Sequence, residues 1–448
     1  MSRILSKSLL SSSLKGMAAL PAAALILAAG NLASANAQTT DELETQSLIY
    51  VTASAMVDVL EGELVQNPVL VIEEGTIKSV GTSGSIVIPE AATVYNLDGQ
   101  TIMPGMIDMH VHITSDPVRT VRNSQEQQQV IRGVVNAQKT LMAGFTTIRN
   151  VGASRYTDVA LRDAINAGVI EGPRMYVSGP PVGIIGGHCS DDTYSPPEAN
   201  SFGANVATGP YEMRAKVRTN IKYGVDLIKT CSTGGVFSKG TLLGAPQGTV
   251  EELTAIVDEA HMRGLKVASH AHGTVGIKNA IVAGVDTIEH ASFLDDETIK
   301  LAKRNGTFLS MDIYNTEYTL SRGKANGVSE ESLNKEREVG TVQRESFTNA
   351  VKAGVKVVLG SDAAIYPHGD NAKQLSRMVR FGMSNSQALR ATTSLAAEAL
   401  GRENELGQLR AGYKADIIAV SGNPLDDVSA LESVEFVMKE GTVFKHAN

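Results

Sequence analysis

Six times in the middle of this chain the same phrase recurs: a helix-like stretch ends in glycine, and an apolar run begins a few residues later. The instances are "MAGFTTIRNVG", "KYGVDLIKTCSTGG", "MRGLKVASHAHG", "VAGVDTIEHASF", "RNGTFLSMDIY" and "KAGVKVVLGSDAA". A glycine at the junction (Gly144, Gly224, Gly264, Gly284, Gly306, Gly354) suits the left-handed residue that closes a helix, because no Cβ clashes there. The runs that follow are apolar throughout rather than alternating, the pattern of parallel strands covered on both faces. With "GMIDMHVHI" and "RMYVSGPPV" they give eight strands alternating with helices. This α/β order predicts a closed (β/α)8 TIM barrel more naturally than the alternative, a doubly wound open sheet. No G-x-G-x-x-G follows an early strand, so a dinucleotide site lacks support.

The flanks read differently. "LIYVTASAMVD", "PVLVIEEGTIKSVG" and "ATVYNLDGQTIM" are short strands broken by glycines and charges, and "GQLRAGYKADIIAVSG" with "VEFVMKEGTVFKH" repeats that grammar at the other end. They predict one small β-sandwich built from residues 38–104 and 403–448 around a barrel of 105–402. Residues 1–37 have the three parts of a signal peptide: a basic start (Arg3, Lys7, Lys15), the apolar run "MAALPAAALILAAG" and the exit "ASANA". Cleavage after Ala37 would leave a periplasmic or secreted protein. The apolar run is too short to span a bilayer, which takes about 20 residues, and no cysteine follows it to carry a lipid. The formal charge of −8, the absence of tryptophan and an aromatic content of 4 % argue against a nucleic-acid partner. No later segment is apolar enough for a membrane.

The strands end on unusual residues: His110 and His112, Arg149, then His188 in "GGHC", Lys229, His270 and His272, His290, and Asp362. A barrel gathers its C-terminal strand ends at one mouth. Residues i and i+2 of a strand share a face, so His110 and His112 can hold one ion together. One histidine near a strand end is ordinarily structural, yet six of the nine fall there. Lys229 closes the apolar run "VDLI", where an unpaired ammonium is costly, and Asp362 does the same after "KVVLGS". Imidazoles with a carboxylate suit zinc or another first-row divalent metal. Arg149 either binds a substrate carboxylate or pairs with an acid. His261, inside a helical run, and His446, beside the C-terminus, carry no expected role. Cys189 and Cys231 follow neighbouring strands, as a disulfide or as free thiols.

In this order and at these spacings, "PGMIDMHVH", the strand-four lysine, the strand-five and strand-six histidines and "GSDA" resemble the amidohydrolase superfamily over essentially the whole mature chain. "GGHC", "IKTCSTGG", "HAHG" and "IYPHGDNA" are similar to the branch holding imidazolonepropionase-related enzymes, Xaa-Pro and Xaa-Arg dipeptidases and bacterial ochratoxin A hydrolases. The resemblance implies two divalent ions, with zinc expected. His110, His112 and Asp362 would bind the more buried ion, His270 and His290 the second, and a carboxylated Lys229 would bridge them. It implies attack by a hydroxide held between the ions, with Asp362 passing the proton to the departing amine. His272, His188, Ser115, Tyr314 and His368 are the candidate substrate contacts. The expected function is an exported hydrolase of an amide to a C-terminal amino acid, in a dipeptide or in an N-acyl compound such as ochratoxin A. The alternative is a cyclic amidohydrolase or lactonase that opens a ring. A metal-free scaffold would need a broken ligand set, and all six positions are filled. The expected partner is a small or dipeptide-like substrate, and relatives of this kind imply a homo-oligomer as large as an octamer.

Overall fold

Each glycine junction turns a helix into a strand by the same backbone device. The structure is a computed structural model that describes residues 48–118, 125–190 and 205–447; the expected signal peptide lies outside them. All six junction glycines have positive φ, between 70° and 94°. Gly284, Gly306 and Gly354 cap their helices directly, whereas Gly144, Gly224 and Gly264 come two or three residues past the last helical turn. At five of the six junctions the amide after the glycine reaches back to the carbonyl five residues earlier, as in Val285 to Ala280 and Val355 to Ala350, both 3.1 Å. That bond satisfies a helix-end carbonyl and launches the chain toward the next strand.

The eight expected strands form. Met106–Val111, Phe145–Asn150 and Arg174–Val177 pair in one parallel run. Leu227–Cys231, Lys266–Ala271, Thr287–His290, Phe308–Met311 and Val357–Leu359 pair in a second. Two seams join the runs into a ring, which an open sheet would lack. At one, the Asp226 amide donates to the Val177 carbonyl at 2.8 Å and the Val177 amide to Asp226 Oδ2 at 3.0 Å. At the other, the Asp362 amide donates to the His110 carbonyl at 2.7 Å and the His112 amide to the Ala363 carbonyl at 2.9 Å. The barrel and its helices share one continuous apolar core, from Val111 and Ile148 through Ile228, Val267 and Ile288 to Leu309 and Leu359.

Strands from both termini join in a single eight-stranded sheet, so the two layers expected of a sandwich are continuous. Thr93–Pro104 is the shared member. It pairs in parallel with Ile49–Asp58 from Thr93 to Ile102, and its end, from Gln100 to Pro104, pairs antiparallel with Ile417–Ser421. Val51, Leu70, Ile77 and Ile102 pack with Ile417, Phe436 and Met438 in one small core, which ties the two ends of the chain together. Gly105 then turns the chain into the first barrel strand. A Cβ at that position would lie 2.1 Å from Thr146 Oγ1, so only glycine lets the two strands approach. Among the described residues no helix is long and apolar enough to cross a membrane.

Candidate metal centre

All six expected ligands face the mouth of the barrel. His110, Lys229, His270, His290 and Asp362 are buried, and His112 is half-buried. His110 Nε2 and His112 Nε2 point at one oxygen, Asp362 Oδ1, from 3.3 and 3.4 Å. Ligand-type atoms of His110, His290 and Asp362 lie within 4.8 Å of one another, as do those of His270, His272 and His290. His272, expected from sequence as a substrate contact, thus also sits beside a group of metal-binding geometry.

The outer nitrogens fix what the inner ones are. His110 Nδ1 is 2.9 Å from Glu289 Oε2, His112 Nδ1 is 3.1 Å from the Gly152 carbonyl, and His290 Nδ1 is 2.9 Å from Asp312 Oδ1. Each partner accepts, so each Nδ1 donates, and in a neutral ring the Nε2 is left as a bare lone pair. Two such lone pairs then face a carboxylate oxygen, and His110 Nε2 and His270 Nε2 are buried with no hydrogen-bond partner. Acceptors turned on one another at this range are repulsive unless a proton or a metal cation lies among them. The donor set therefore fits divalent ions of the zinc type.

Electrostatics keeps the cluster mostly uncharged. Burial pushes His112 down to about 4 and His188 to about 3, and with neighbouring imidazoles it drives His270 and His272 well below the ordinary histidine range. His110 is the exception: burial and Lys229 oppose its protonation, but Asp362 and Glu289 outweigh them and raise it. Burial would also raise Asp362, yet His110, His112 and His290 hold it well below the usual carboxylate range. Burial lowers Lys229 to about 8 against the pull of Glu289 and Asp362.

Sequence reasoning missed the layer behind the candidate ligands. Glu289 takes Arg149 Nη2 at 2.6 Å and Thr287 Oγ1 at 2.5 Å, while Arg149 Nε donates to the Met109 carbonyl at 2.5 Å. Arg149 is thus the acid-paired arginine of the two readings, buried beneath the histidines. Asp312 accepts from Gln343 Nε2 at 3.0 Å and Asn315 Nδ2 at 2.5 Å, and Asn315 reaches on to Asp362 Oδ2 at 3.3 Å. A signal for Glu289 and Asp312 existed, because each is an acid inside an apolar run ("TIEH", "SMDIY"). Alternation concealed Glu289: Ile288 packs in the outer core, so His290 should follow it outward and leave Glu289 alone inside. Instead His290 adopts φ 70°, and that left-handed turn swings its ring inward beside Glu289. Asp362 does the same at φ 52°. Such strain in residues other than glycine persists where the surroundings over-determine it, commonly at functional sites.

A cavity of about 870 Å³ opens at the cluster, lined by Ser115, His188, His272, the disulfide-bonded Cys189 and Cys231, and the apolar Phe237, Val328 and Val339. The two other candidate contacts lie off this wall. Tyr314 packs edge-on against Tyr366 with the Arg377 guanidinium over its ring. Burial lowers His368 to about 4, and it too is absent from the lining. Both follow loops whose course no strand period dictates.

Residues 101–444 match the model of the Amidohydrolase family. The chain belongs to that family. Its relatives include the ochratoxinase of Aspergillus niger, 31 % identical over 417 residues, covering 86 % of this chain and 84 % of that one. An imidazolonepropionase of Kosmotoga olearia is 20 % identical, covering 85 % and 91 %. Among solved structures, a Xaa-Pro dipeptidase with methionine bound in its active site superposes with a TM-score of 0.83 at 36 % identity, over 89 % of this chain and 100 % of that one. The Aspergillus niger ochratoxinase structure gives 0.80 at 30 %, over 89 % and 96 %. This amidohydrolase is a hydrolase acting on amide bonds.

Two outcomes follow from the buried charges of the amidohydrolase. Glu289→Gln strands the Arg149 guanidinium, so it should cost about 3–5 kcal/mol. Thermal unfolding should show that loss partly recovered in Arg149→Met/Glu289→Leu. Glu336, on the cavity wall, is raised from 4.5 to about 7, chiefly by burial, although Thr316 Oγ1 donates to it at 2.6 Å. A raised carboxyl favours the folded state while protonated, so its contribution is full below about pH 4.5 and is lost as pH climbs through about 7. Glu336→Gln should remove about 3 kcal/mol of that decline, read as a smaller drop in thermal midpoint between pH 5 and pH 8.

Proposed function

We propose that this amidohydrolase is a binuclear metal enzyme that releases a C-terminal amino acid from an amide. The observation that carries the reading is the convergence of inward-facing imidazole nitrogens on Asp362, each Nδ1 partner found lying outside the cluster. His110, His112 and Asp362 would hold one ion, His270 and His290 the other, and Lys229 would bridge them as its carbamate. When bound, such ions polarise a carbonyl and supply a nucleophilic water at neutral pH.

The side chains then have separable tasks. A buried ammonium at Lys229 is costly, and its lowered pKa leaves part of it as free amine. That nitrogen forms a bond to the carbon of CO2 and sheds one proton, which replaces a cation by an anionic bridge. Asp362 stays ionised, so Oδ1 can accept the proton of the attacking water and deliver it to the nitrogen of the breaking amide. Glu289 holds His110 in its tautomer, and Asp312 does so for His290. His188, His272 and Ser115 line the cavity within reach of a substrate carboxylate.

The cavity lies in the upper part of the usual range for small-molecule sites and accommodates more than a dipeptide of small residues. The likeness to ochratoxinase and to a Xaa-Pro dipeptidase supports N-acyl or N-aminoacyl derivatives of one amino acid, ochratoxin A among them. Export after cleavage near Ala37, and assembly as a homo-oligomer as large as an octamer, complete the proposal. N-terminal sequencing of the exported protein and its mass in solution test those two parts.

The decisive assay gives the purified protein Xaa-Pro, Xaa-Arg and Xaa-Phe dipeptides, N-acyl amino acids, ochratoxin A, lactones and cyclic imides, with metal content measured in parallel. Release of a C-terminal amino acid is expected, lost on chelation and in Lys229→Ala, and falling about 10²–10⁴-fold in Asp362→Asn. Turnover of the rings alone would replace the reading with ring-opening hydrolysis, and an inactive, metal-free protein would refute it.

A further inference from the structure

The one disulfide among the described residues lies in the wall of the cavity. Cys189 follows His188 directly, and Cys231 stands two residues beyond Lys229 on the fourth barrel strand. The bond spans 5.8 Å between Cα atoms and ties the loop after the third strand to the fourth.

His188 depends on that tie. Its ring lies parallel to His270, 18° between planes and 3.8 Å between centroids. Gly235 borders the same slot: a Cβ there would stand 2.5 Å from His188 Cε1 and Nδ1 and 2.8 Å from His270 Nε2. The imidazole has no polar anchor at Nδ1, which is buried with no hydrogen-bond partner among the described residues. Among the described residues its backbone takes one side-chain contact, the amide donating to Gln247 Oε1 at 2.8 Å. Just before it the chain turns at Gly186, φ 73°, in a tight turn closed by local backbone bonds, the Gly187 amide to the Ile184 carbonyl at 3.1 Å and the Ser190 amide to the Gly187 carbonyl at 3.0 Å. A turn bonded to itself on one side and a covalent clamp to the fourth strand on the other make the disulfide the link that sets where the ring sits.

We propose that the Cys189–Cys231 disulfide is a positioning element for substrate binding, holding His188 over the centre, rather than a stabilising crosslink alone. The inference rests on the amide-hydrolase reading, since its readout is the KM of whichever substrate that enzyme turns over.

The test begins with a thiol titration of the denatured, unreduced protein, in which no free thiol is expected. A trialkylphosphine then reduces the native enzyme: the S–S bond breaks, two thiols form, and the phosphine takes an oxygen from water to become its oxide. KM should rise about tenfold, the loss of one hydrogen-bonding contact, while kcat stays within a factor of about two and metal content is unchanged. Reoxidation should restore KM, and Cys189→Ser/Cys231→Ser should reproduce the reduced enzyme. In His188→Ala, reduction should no longer move KM, because the two changes act through one contact. Two free thiols in the fully active enzyme would overturn the proposal. So would complete reduction that lowers the thermal midpoint and leaves KM in place, or an equal KM shift in His188→Ala. A parent enzyme inactive on every amide would refute the hydrolase reading itself, a different failure from an active enzyme with an unmoved KM.

Discussion

The backbone contact that closes the barrel also builds the site. Where the first strand meets the eighth, the Asp362 amide donates to the His110 carbonyl and the His112 amide to the Ala363 carbonyl. Those two bonds fix the register between His-x-His and the carboxylate, and both inner imidazole nitrogens consequently aim at one oxygen of Asp362. A slip of one residue at this seam would send the histidines to the opposite face of the strand. Closure and ligand geometry are one constraint. The seam is held further by Asp108, whose Oδ1 accepts the amides of His110 and Ser361 at 3.1 and 3.0 Å, so the first strand is bound to the eighth by side chain as well as backbone.

Behind the seam the electrostatics are arranged from the inside outward. A buried arginine and a buried glutamate each carry a large desolvation cost, and neither is tolerable alone. Together they form a neutral unit, with Thr287 and the Met109 carbonyl meeting further guanidinium donors and Thr287 donating to the carboxylate. The unit has one free task, carried by Glu289 Oε2, which takes the outer nitrogen of His110. On the opposite side, Asp312 divides itself between His290, Gln343 and Asn315. Both carboxylates act through histidine, and both turn a lone pair toward the centre.

Much of this was legible in the sequence, and the reason differs by level. The barrel was visible because each glycine junction is a local event: a helix-end glycine with positive φ and an apolar run beside it need no knowledge of the rest of the chain. The six candidate ligands were visible because polar residues in apolar runs are costly and strand ends share a mouth. Glu289 was hidden because the two-residue period of a strand places neighbours on opposite faces, and the left-handed φ of His290 breaks that rule. The continuity of the terminal sheet depends on which edges of Thr93–Pro104 are used, a long-range choice that short strand patterns do not encode. Tyr314 and His368 lie past strand ends, where spacing no longer reports direction.

The site is a place where the fold accepts several costs at once. His290 and Asp362 hold left-handed backbone conformations, which for residues with a Cβ cost roughly 1–2 kcal/mol each. His110 Nε2 and His270 Nε2 stand without hydrogen bonds, and Lys229 is buried at the same mouth. None of these features helps the chain fold, so the surrounding barrel must offset them. It can, because strands that carry candidate ligands are deeply buried: every residue from Met106 to Val111, from Leu227 to Cys231 and from Thr287 to His290 is buried. Rigid strands hold the imidazoles where they repel one another, and a bound cation would convert that repulsion into attraction without moving the backbone. Preorganisation here means that the polypeptide has met the cost of the geometry before any ion or substrate arrives.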